Sequence, residues 1–367
     1  MPPLVTSILL TTDAVGGVWT HTLDLARGLV ARNVEVTLAV LGPRPTPAQA
    51  EAARAAGCRL HITDLPLDWM GADDKALEAA GAALGSLAES SGAGIVHLNS
   101  PALAASLDLR IPLVVGCHSC VATWWETMRD TTPPEEFARQ RALVAAGYAV
   151  ADALVAPSRS FARMTEAHYG LRRQPWVVPN GRPPRTMTNG VRDGVLAAGR
   201  LWDEAKNIAL LDRIAPRLAA PILVAGPLAA PHGRSAAFPK LWHLGALDSG
   251  EMARCYAANG IFVSPARYEP FGLAVLEAAQ AGCALVLSDI SSFREIWGDA
   301  AIYVAPEDDE GFLQALQMLC ADPALRVQRG GAAYRRASLY TDDAMVEGML
   351  NLYRDVLRHR SLMESAA

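Results

Sequence analysis

The sequence predicts an α/β protein of two domains, each built on a parallel β-sheet with helices on both faces. The chain has 367 residues, which exceeds the roughly 250–300 residues at which a single hydrophobic core stops growing. Short, nearly continuous apolar runs alternate with helical stretches along the whole chain. Strands of this kind, separated by helices, indicate parallel sheets that are buried on both sides.

Each predicted strand is a short apolar run that ends at Gly or at polar turn residues. In the first half these runs are Ser7–Thr11, Glu35–Leu41, Ile95–Leu98, Leu113–Cys117, Ala153–Ala156 and Trp176–Val178. In the second half they are Val195–Ala198, Ile222–Ala225, Trp242–Leu244, Ile261–Ser264, Ala284–Leu287 and Ile302–Val304. Apolar residues with helical spacing lie between most of these runs, for example over 23–30 and 312–319.

One segment interrupts the alternation. Residues 179–194 read PNGRPPRTMTNGVRDG and are rich in Pro, Gly and polar side chains, as in a linker or a surface turn. We therefore expect a Rossmann-like domain over residues 1–182 and a second one over 190–341. The remaining residues, 342–367, are expected to form a helix that crosses back to the first domain.

The composition narrows the range of partners. The formal net charge of −5 gives no general attraction to nucleic acid, so no nucleic-acid partner is expected. The start, MPPLVTSILLTTD, has no basic segment, and its apolar run ends at Asp13, which argues against a signal peptide or a membrane span. We expect a cytoplasmic protein. Whether it also binds peripherally to the inner face of the membrane stays an open question.

The loops that follow the apolar runs hold the candidate site residues, because open α/β sheets bind ligands at the carboxyl ends of their strands. The first such loop contains Gly16 and Gly17, followed by a helix. Two glycines let the backbone come close to a ligand, and a helix N-terminus favours an anion. The loop predicts either a contact with a phosphate or sugar or an ordinary tight turn, and its residues favour neither.

A second candidate loop carries two cations. Arg200 directly follows a predicted strand, and Lys206 lies near the start of the next helix. Two cations in this place suit a diphosphate, whose charge grows as it leaves. The alternative is a surface Arg and Lys that pair with Asp203 or Glu204.

The segment around Glu269 gives the strongest signal. It follows a predicted strand, and Pro270 favours the first turn of a helix. The amides of Phe271, Gly272 and Leu273 would then be free to donate to a ligand. The Glu269 carboxylate would then lie beside free amides that point into the ligand crevice.

A second glutamate follows in the same segment. Glu277 comes eight residues after Glu269, so in one helix the two would share a face. The rest of Leu273–Ala281 carries no charge, and a charge in such a helix costs several kcal/mol unless it meets a partner. That partner is expected to be a ribose diol; the alternative is a cap together with a buried ion pair.

His118 ends another predicted strand, where it can serve as a hydrogen-bond donor or a proton shuttle. Cys117 and Cys120 flank it in a pattern that mimics a metal or redox pair. A zinc site would need a second Cys or His pair with zinc spacing, and the sequence has none. No metal is therefore expected, and a thioredoxin-like role is disfavoured.

In this order, the motifs resemble those of the retaining GT-B glycosyltransferases of family 4. From the N-terminus, they are Gly16-Gly17, His118, Ala156-Pro157-Ser158, Val178-Pro179-Asn180-Gly181, Gly199-Arg200, Lys206, Glu269-Pro270-Phe271-Gly272, Glu277 and Glu295. The resemblance covers nearly the whole chain. Its most specific part is the pair of glutamates with Pro-Phe-Gly after the first.

The resemblance implies a GT-B fold, in which two Rossmann-like parallel-sheet domains face a central cleft, with the acceptor on the N-terminal side and the donor on the C-terminal side. It implies transfer of a hexose-type sugar from a nucleotide-diphosphate sugar to a glycan, lipid-linked or small-molecule acceptor. UDP- and GDP-sugars are the donors expected first. Neither a metal nor a cofactor is implied. The anomeric configuration would be kept through front-face attack, with the leaving phosphate as base.

The resemblance also implies a role for each matching residue. The catalytic residues would be His118 at the donor sugar, Arg200 and Lys206 at the diphosphate, and Glu269 at the sugar hydroxyls. The donor-binding residues would be Gly16, Gly17, Phe271, Gly272, Leu273, Glu277 and Glu295, of which Glu277 would take the ribose.

The chain departs from the family pattern in three places. The spacing from Arg200 to Lys206 is one residue longer than usual, and Ser291-Ser292 replaces the usual Gly-Gly before Glu295. Trp19 in the first loop has no assigned role, and a contact with the acceptor or a membrane stays open for it. Trp124 and Trp125 are compatible with contact to an acceptor or a membrane, or with core packing.

Other functions predict different residues. A nucleotide-sugar 2-epimerase would need further acid/base carboxylates, and an inactive sugar-nucleotide-binding subunit would not need the whole set of motifs; both alternatives stay open. A dinucleotide oxidoreductase would show Gly-x-Gly-x-x-Gly after the first strand. The first loop reads Gly16-Gly17-Val18-Trp19-Thr20 and does not match.

Overall fold

The computed structural model of the protein describes residues 4–70, 73–188, 190–230, 233 and 235–366. The chain divides into two compact units, Met1–Gly181 with Asp342–Ala367 and Arg182–Thr341. The first and last residues of the second unit are neighbours, since Arg182 and Thr341 form an isolated parallel bridge.

The described strands agree with the apolar runs, and the ends of each predicted strand differ from the observed ones by at most two residues. Those of the first unit are β1 (Ser7–Asp13), β2 (Glu35–Leu41), β3 (Arg59–Ile62), β4 (Ile95–Leu98), β5 (Leu113–Gly116), β6 (Ala153–Ala156) and β7 (Trp176–Val177). Those of the second unit are β8 (Val195–Ala198), β9 (Ile222–Ala225), β10 (Trp242–Gly245), β11 (Ile261–Ser264), β12 (Ala284–Ser288) and β13 (Ala301–Val304).

Helices connect most of these strands. The first unit contains α1 (Gly17–Val30), α2 (Pro47–Ala55), α3 (Asp74–Ser90), α4 (Pro101–Ala104), α5 (Val121–Met128), α6 (Glu135–Val150) and α7 (Arg159–Tyr169). The second unit contains α8 (Ile208–Ile214), α9 (Ser249–Ala258), α10 (Leu273–Gln280), α11 (Ser291–Trp297), α12 (Asp309–Ala321) and α13 (Pro323–Ala337), and α14 (Asp342–Ala366) follows it.

Each unit has one parallel sheet. The strand order is β3-β2-β1-β4-β5-β6-β7 in the first sheet and β10-β9-β8-β11-β12-β13 in the second. Paired strands run parallel in both sheets. The order reverses between β1 and β4 and again between β8 and β11, and ligands of such sheets bind at these switch points.

The edge strand β3 was not predicted. Its residues Arg59, His61 and Ile62 are exposed, and only Leu60 is partly buried. An exposed edge strand needs no apolar run, so β3 left no hydrophobic signal in the sequence.

Helix α14 packs on the first unit. Gly28 of α1 provides room for it, because a Cβ at that position would overlap Val346. Further along α14, Arg360 binds both carboxylate oxygens of Asp152, at 2.8 and 2.9 Å. No helix in the described part of the chain is long and apolar enough to cross a bilayer.

Candidate active site

The candidate site of the second unit lies at the switch point between β8 and β11. From these neighbouring strands the chain continues to opposite halves of the sheet, which leaves a crevice at their carboxyl ends. Arg200 follows β8 and Glu269 follows β11, so the topology alone brings the two predicted residues to one edge.

Asn207 ties the loops of this edge together, and sequence reasoning did not single it out. Its Nδ2 donates to the carbonyl oxygens of Pro265, at 3.0 Å, and Pro306, at 2.9 Å. The loops that follow β8, β11 and β13 are thereby held in one arrangement. Asn207 has a φ of 55°, a conformation that Asn tolerates better than most residues, and this preference is the only local signal it carried.

Arg200 lies at the exposed side of the crevice. Its guanidinium contacts Asp203 at 2.8 Å and lies 5.5 Å from the centre of the Trp202 ring. Asp203 also accepts from the amide of Ala205 and so caps a short 3-10 turn, Glu204–Lys206. Although burial opposes the shift, the charges of Arg200 and Lys206 and these hydrogen bonds lower the pKa of Asp203. The carboxylate is therefore ionised and holds Arg200 in place.

Lys206 pairs with the predicted sugar-binding carboxylate. Its Nζ lies 2.5 Å from Oε2 of Glu269, and the two side chains are only 18% and 17% exposed. The backbone supports the pair, because the amide of Arg267 donates to the carbonyl of Ala205 at 2.8 Å. The alternative partners of Lys206, Asp203 and Glu204, are thus not the ones that form its ion pair.

The start of α10 corrects one expectation. Pro270 does not lie in a helical turn, since α10 begins at Leu273 and its N-cap is Gly272, with a φ of 91°. Glu269 therefore lies in the preceding loop and shares no helix face with Glu277. The N-cap Gly272 has no side chain to cap the first turn of α10, which leaves amides in the region where donors were expected. The helix starts at Leu273 and not at Pro270 because the left-handed Gly272 turns the chain into the helix only after Phe271.

The two serines that replace the usual glycines lie at the start of α11. The hydroxyl of Ser292 donates to the carbonyl oxygen of Glu269 at 2.5 Å. Ser292 thus supports the loop that carries Glu269. Glu295 lies one turn further in α11 and is partly exposed.

Glu277 meets a protein partner inside α10. Its Oε1 lies 2.9 Å from the Arg182 guanidinium, and both side chains are largely buried. The Tyr256 hydroxyl also bonds to Glu277; burial, and then the charge of this carboxylate, raise the pKa of the Tyr256 hydroxyl. The buried ion pair that was the alternative to ribose binding is therefore present. Arg182 was missed because it stands in the linker sequence, where nothing marks it as buried.

The first unit holds Gly16 and Gly17, which follow β1 at its switch point, and His118, which follows β5. Gly16 precedes α1 with a φ of 85°, and a Cβ there would meet nothing within 4 Å. Gly17 opens α1, whose first turn has no side-chain cap. The adjacent Trp19 is 7% exposed and belongs to the hydrophobic core.

Trp124 and Trp125 are partly buried, and the Arg129 guanidinium lies 5.0 and 5.8 Å from their ring centres.

His118 follows β5 and contacts the loop after β4. Its Nε2 lies 2.7 Å from Oδ1 of Asn99, and the ring of His21 from α1 is 4.9 Å away, edge to face. Burial lowers the pKa of His118 to about 4. The pKa of His21 is also lowered, by burial and then by the charges of His118 and His97. All three rings are therefore neutral at about pH 7.

We expect this histidine cluster to make the first unit sensitive to acid. His97 is fully buried against the Tyr353 hydroxyl, and burial lowers its pKa from 6.5 to about 3. Folding lowers this pKa, so protonation of His97 favours the unfolded state. The free energy of unfolding is therefore unaffected by His97 above pH 6.5 and decreases as the pH falls toward 3. At pH 4 the loss from His97 should be about 3 kcal/mol in the free energy of unfolding.

Denaturant titrations between pH 7 and pH 4 measure this loss. The substitution His97→Gln should flatten the acid limb of stability, whereas His61→Gln, at an exposed position of β3, should leave it as in the parent. Equal slopes for all three proteins would contradict the prediction.

Comparison with known proteins places these features in a family. A model described as Glycosyltransferase Family 4 matches residues 15–185. A second, described as Glycosyl transferases group 1, matches residues 192–322. Among curated relatives, a glycogen synthase of Mycobacterium tuberculosis (strain CDC 1551 / Oshkosh) is 39% identical over 95 residues, which are 25% of this chain and 23% of that protein. The match thus spans about a quarter of the relative's length.

Solved structures extend the similarity to nearly the whole chain. Sucrose-phosphate synthase from Thermosynechococcus elongatus has a TM-score of 0.79 and 18% identity, with 96% of this chain and 100% of that one covered. The Anabaena protein HepE in complex with UDP-glucose has a TM-score of 0.75 and 15% identity, with 95% and 99% covered. At such identities the likeness concerns the fold. The solved structures show the GT-B fold. The two family models, which together match most of the chain, show that it belongs to the family 4 glycosyltransferases (glycosyl transferases group 1).

Proposed function

We propose that the protein is a retaining glycosyltransferase that moves a hexose-type sugar from a UDP- or GDP-sugar to a glycan, lipid-linked or small-molecule acceptor, without a metal ion. The observation that carries the proposal is the common position of Arg200, Lys206 and Glu269 at the switch point of the second sheet. Two cations and a carboxylate match a sugar that is attached to a diphosphate.

The cations would act on the leaving group. Arg200 and Lys206 are each paired with one carboxylate, and a diphosphate offers both of them more negative charge than a carboxylate does. The charge on the diphosphate grows as the bond to the sugar breaks, so fixed cations stabilise the transition state more than the bound substrate. The first turn of α10, whose N-cap residue is the side-chain-free Gly272, adds partial positive charge. These groups supply the stabilisation that a metal ion would otherwise give.

Each predicted side chain can be matched to one group of a nucleotide sugar. Glu269 lies 2.5 Å from Lys206, as the sugar lies next to the phosphate it leaves. Glu277, in α10, would hold the ribose, and its pairing with Arg182 would fix the carboxylate for that role. Gly16, Gly17 and His118 would complete the donor site, with the first unit as the acceptor side. An acceptor hydroxyl that attacks on the face of the leaving diphosphate would keep the anomeric configuration.

The donor class is supported by a structural neighbour. HepE was solved with UDP-glucose, and its fold is that of this chain over nearly the full length. A uridine donor with a glucose-type sugar is therefore the first to test, with GDP-sugars second.

The decisive experiment uses the purified chain with a panel of UDP-, GDP- and ADP-sugars. One donor class should raise the unfolding temperature by a few degrees and should be slowly hydrolysed. With an acceptor present, NMR should show that the product keeps the donor's anomeric configuration. The same product should form in the presence of EDTA, which removes metal ions. Stabilisation without any turnover would indicate an inactive binding subunit. A donor sugar epimerised at C2 would indicate an epimerase instead.

The substitution Glu277→Ala should weaken nucleotide binding about 10- to 100-fold, because it removes hydrogen bonds between a carboxylate and the ribose hydroxyls. Titration calorimetry with UDP or GDP measures the dissociation constant. Glu277→Gln separates binding from folding, since a glutamine still offers Arg182 a carbonyl oxygen. Glu310→Ala, at an exposed position of α12, is the matched control. Unchanged dissociation constants in both Glu277 variants would refute the role in ribose binding.

A further inference from the structure

The loop after β4 contains a side chain that none of the predicted roles uses. Asn99 lies at the switch point of the first sheet, between β1, α1 and His118. Its Nδ2 donates to the carbonyl oxygen of Thr11 at 2.7 Å and to the Thr22 hydroxyl at 3.0 Å. Its backbone amide donates to the Thr11 hydroxyl at 2.8 Å. Three hydrogen bonds thus fix this residue to two neighbouring elements.

These bonds determine which way the Asn99 amide faces. Both hydrogens of Nδ2 are engaged, so the carbonyl oxygen Oδ1 is the atom that faces His118. A flipped amide would place Oδ1 2.7 Å from the carbonyl oxygen of Thr11, where two acceptors would repel each other. Since Oδ1 can only accept, Nε2 of His118 must carry the hydrogen.

The other ring nitrogen of His118 is then an acceptor. Burial keeps the ring neutral, and a neutral imidazole with Nε2–H has a bare lone pair on Nδ1. Nδ1 takes part in no hydrogen bond within the residues that the structure describes, and the side chain is only partly buried. The titratable groups around His118 carry no charge that would change its protonation. Burial also keeps His21 and His97 neutral and leaves Cys117 as a thiol.

Gly116 supports the same arrangement. A Cβ at this position would lie 2.8 Å from Oδ1 of Asn99 and 2.8 Å from Nε2 of His118. The bond between the two side chains therefore has room only because residue 116 is a glycine.

We propose that Asn99 is a positioning residue that holds His118 as the Nε2–H tautomer, so that Nδ1 accepts a hydrogen bond from a hydroxyl of the transferred sugar. The proposal rests on the proposed function and makes it more specific: His118 acts as an acceptor, in contrast to the donor or proton shuttle that the sequence suggested. The donor sugar must then carry a free hydroxyl at this contact.

The tautomer can be measured without any substrate, by nitrogen NMR of protein labelled at both histidine ring nitrogens, with His118→Gln for assignment. The parent should show His118 protonated at Nε2 only. Asn99→Ala should show a mixture of tautomers, and Asn99→Asp should raise the pKa of His118, because a carboxylate stabilises the imidazolium. Nδ1–H in the parent, or an unchanged tautomer in Asn99→Ala, would overturn the proposal.

A matched pair of threonine variants tests the hydrogen bonds that orient Asn99. Thr22→Val removes a hydroxyl that Nδ2 uses and should increase the minor tautomer of His118. Thr165→Val removes another buried hydroxyl of the same unit, which bonds to the carbonyl of Phe161, and should leave the tautomer as in the parent. Equal spectra for the two variants would contradict the orienting role.

Kinetics then separate positioning from folding. In Asn99→Ala, kcat should fall about 100-fold, as expected for a misplaced catalytic contact, while the dissociation constant of UDP or GDP stays within about twofold, because these nucleotides would bind the second unit. If Asn99→Ala does not fold, Gly116→Ala should give the same tautomer mixture.

A parent with the expected tautomer but no activity on any nucleotide sugar would refute the proposed function and leave the positioning result standing. A loss of kcat without a change of tautomer would refute the positioning role alone.

Discussion

Replacing Lys206 by alanine is expected to lower kcat about 100- to 1,000-fold, the usual effect of removing one preorganised charge from a transition state. The reason is the place of the ammonium group, which lies at the switch point of the second sheet, 2.5 Å from Glu269. The nucleotide dissociation constant should change less, because the charge of the leaving diphosphate grows mainly in the transition state. Single-turnover rates and calorimetry measure the two effects separately.

The pairing of Lys206 calls for a second variant. Alanine leaves Glu269 largely buried without its partner, and such a loss destabilises a protein in addition to its effect on chemistry. The double variant Lys206→Ala/Glu269→Gln should therefore recover stability but not turnover. Lys240→Ala, at an exposed position of the same unit, should match the parent in both. A Lys206→Ala protein with parental kcat would remove Lys206 from the mechanism.

Replacing Gly226 by alanine is expected to destabilise the second unit by about 2–4 kcal/mol and to reduce activity strongly. Gly226 follows β9 with a φ of 139°, and a Cβ there would overlap the carbonyl oxygen of Gly199. The cost combines an unfavourable backbone conformation with overpacking. Gly199 directly precedes Arg200, so the loop that carries this cation must move. Thermal unfolding and kcat/KM measure the two consequences.

A second glycine isolates the backbone contribution. Gly170 also has a positive φ, 59°, but a Cβ there would meet nothing within 4 Å. Gly170→Ala should cost about 1–2 kcal/mol, as for a single left-handed alanine, and should keep parental kcat/KM. If Gly226→Ala were no more harmful than Gly170→Ala, the packing of Gly226 against Gly199 would have no role in placing Arg200.

The sequence determined the fold class and the order of elements, because these depend on local patterns. Apolar runs of strand length and helical spacing are properties of neighbouring residues, and they predicted every described strand except the exposed β3. The same local reading identified Arg200, Lys206 and Glu269 as candidates, because Arg200 and Glu269 follow apolar runs and Lys206 lies near the start of the next helix. Which of them pair with each other could not be read from spacing, since Lys206 and Glu269 are 63 residues apart.

Only the tertiary structure decided how these residues are held. Asn207 bonds to residues 58 and 99 positions away, Arg182 to one 95 positions away, and Asn99 to residues 19 to 88 positions away. No local pattern indicates these partners. The start of α10 is a similar case. A proline predicted the first turn, but the left-handed Gly272, packed near Phe293 and Glu269, moved the helix start to Leu273. Local patterns select secondary structure because they act between neighbours, whereas the partners of a buried polar group are chosen by the packing of the whole sheet.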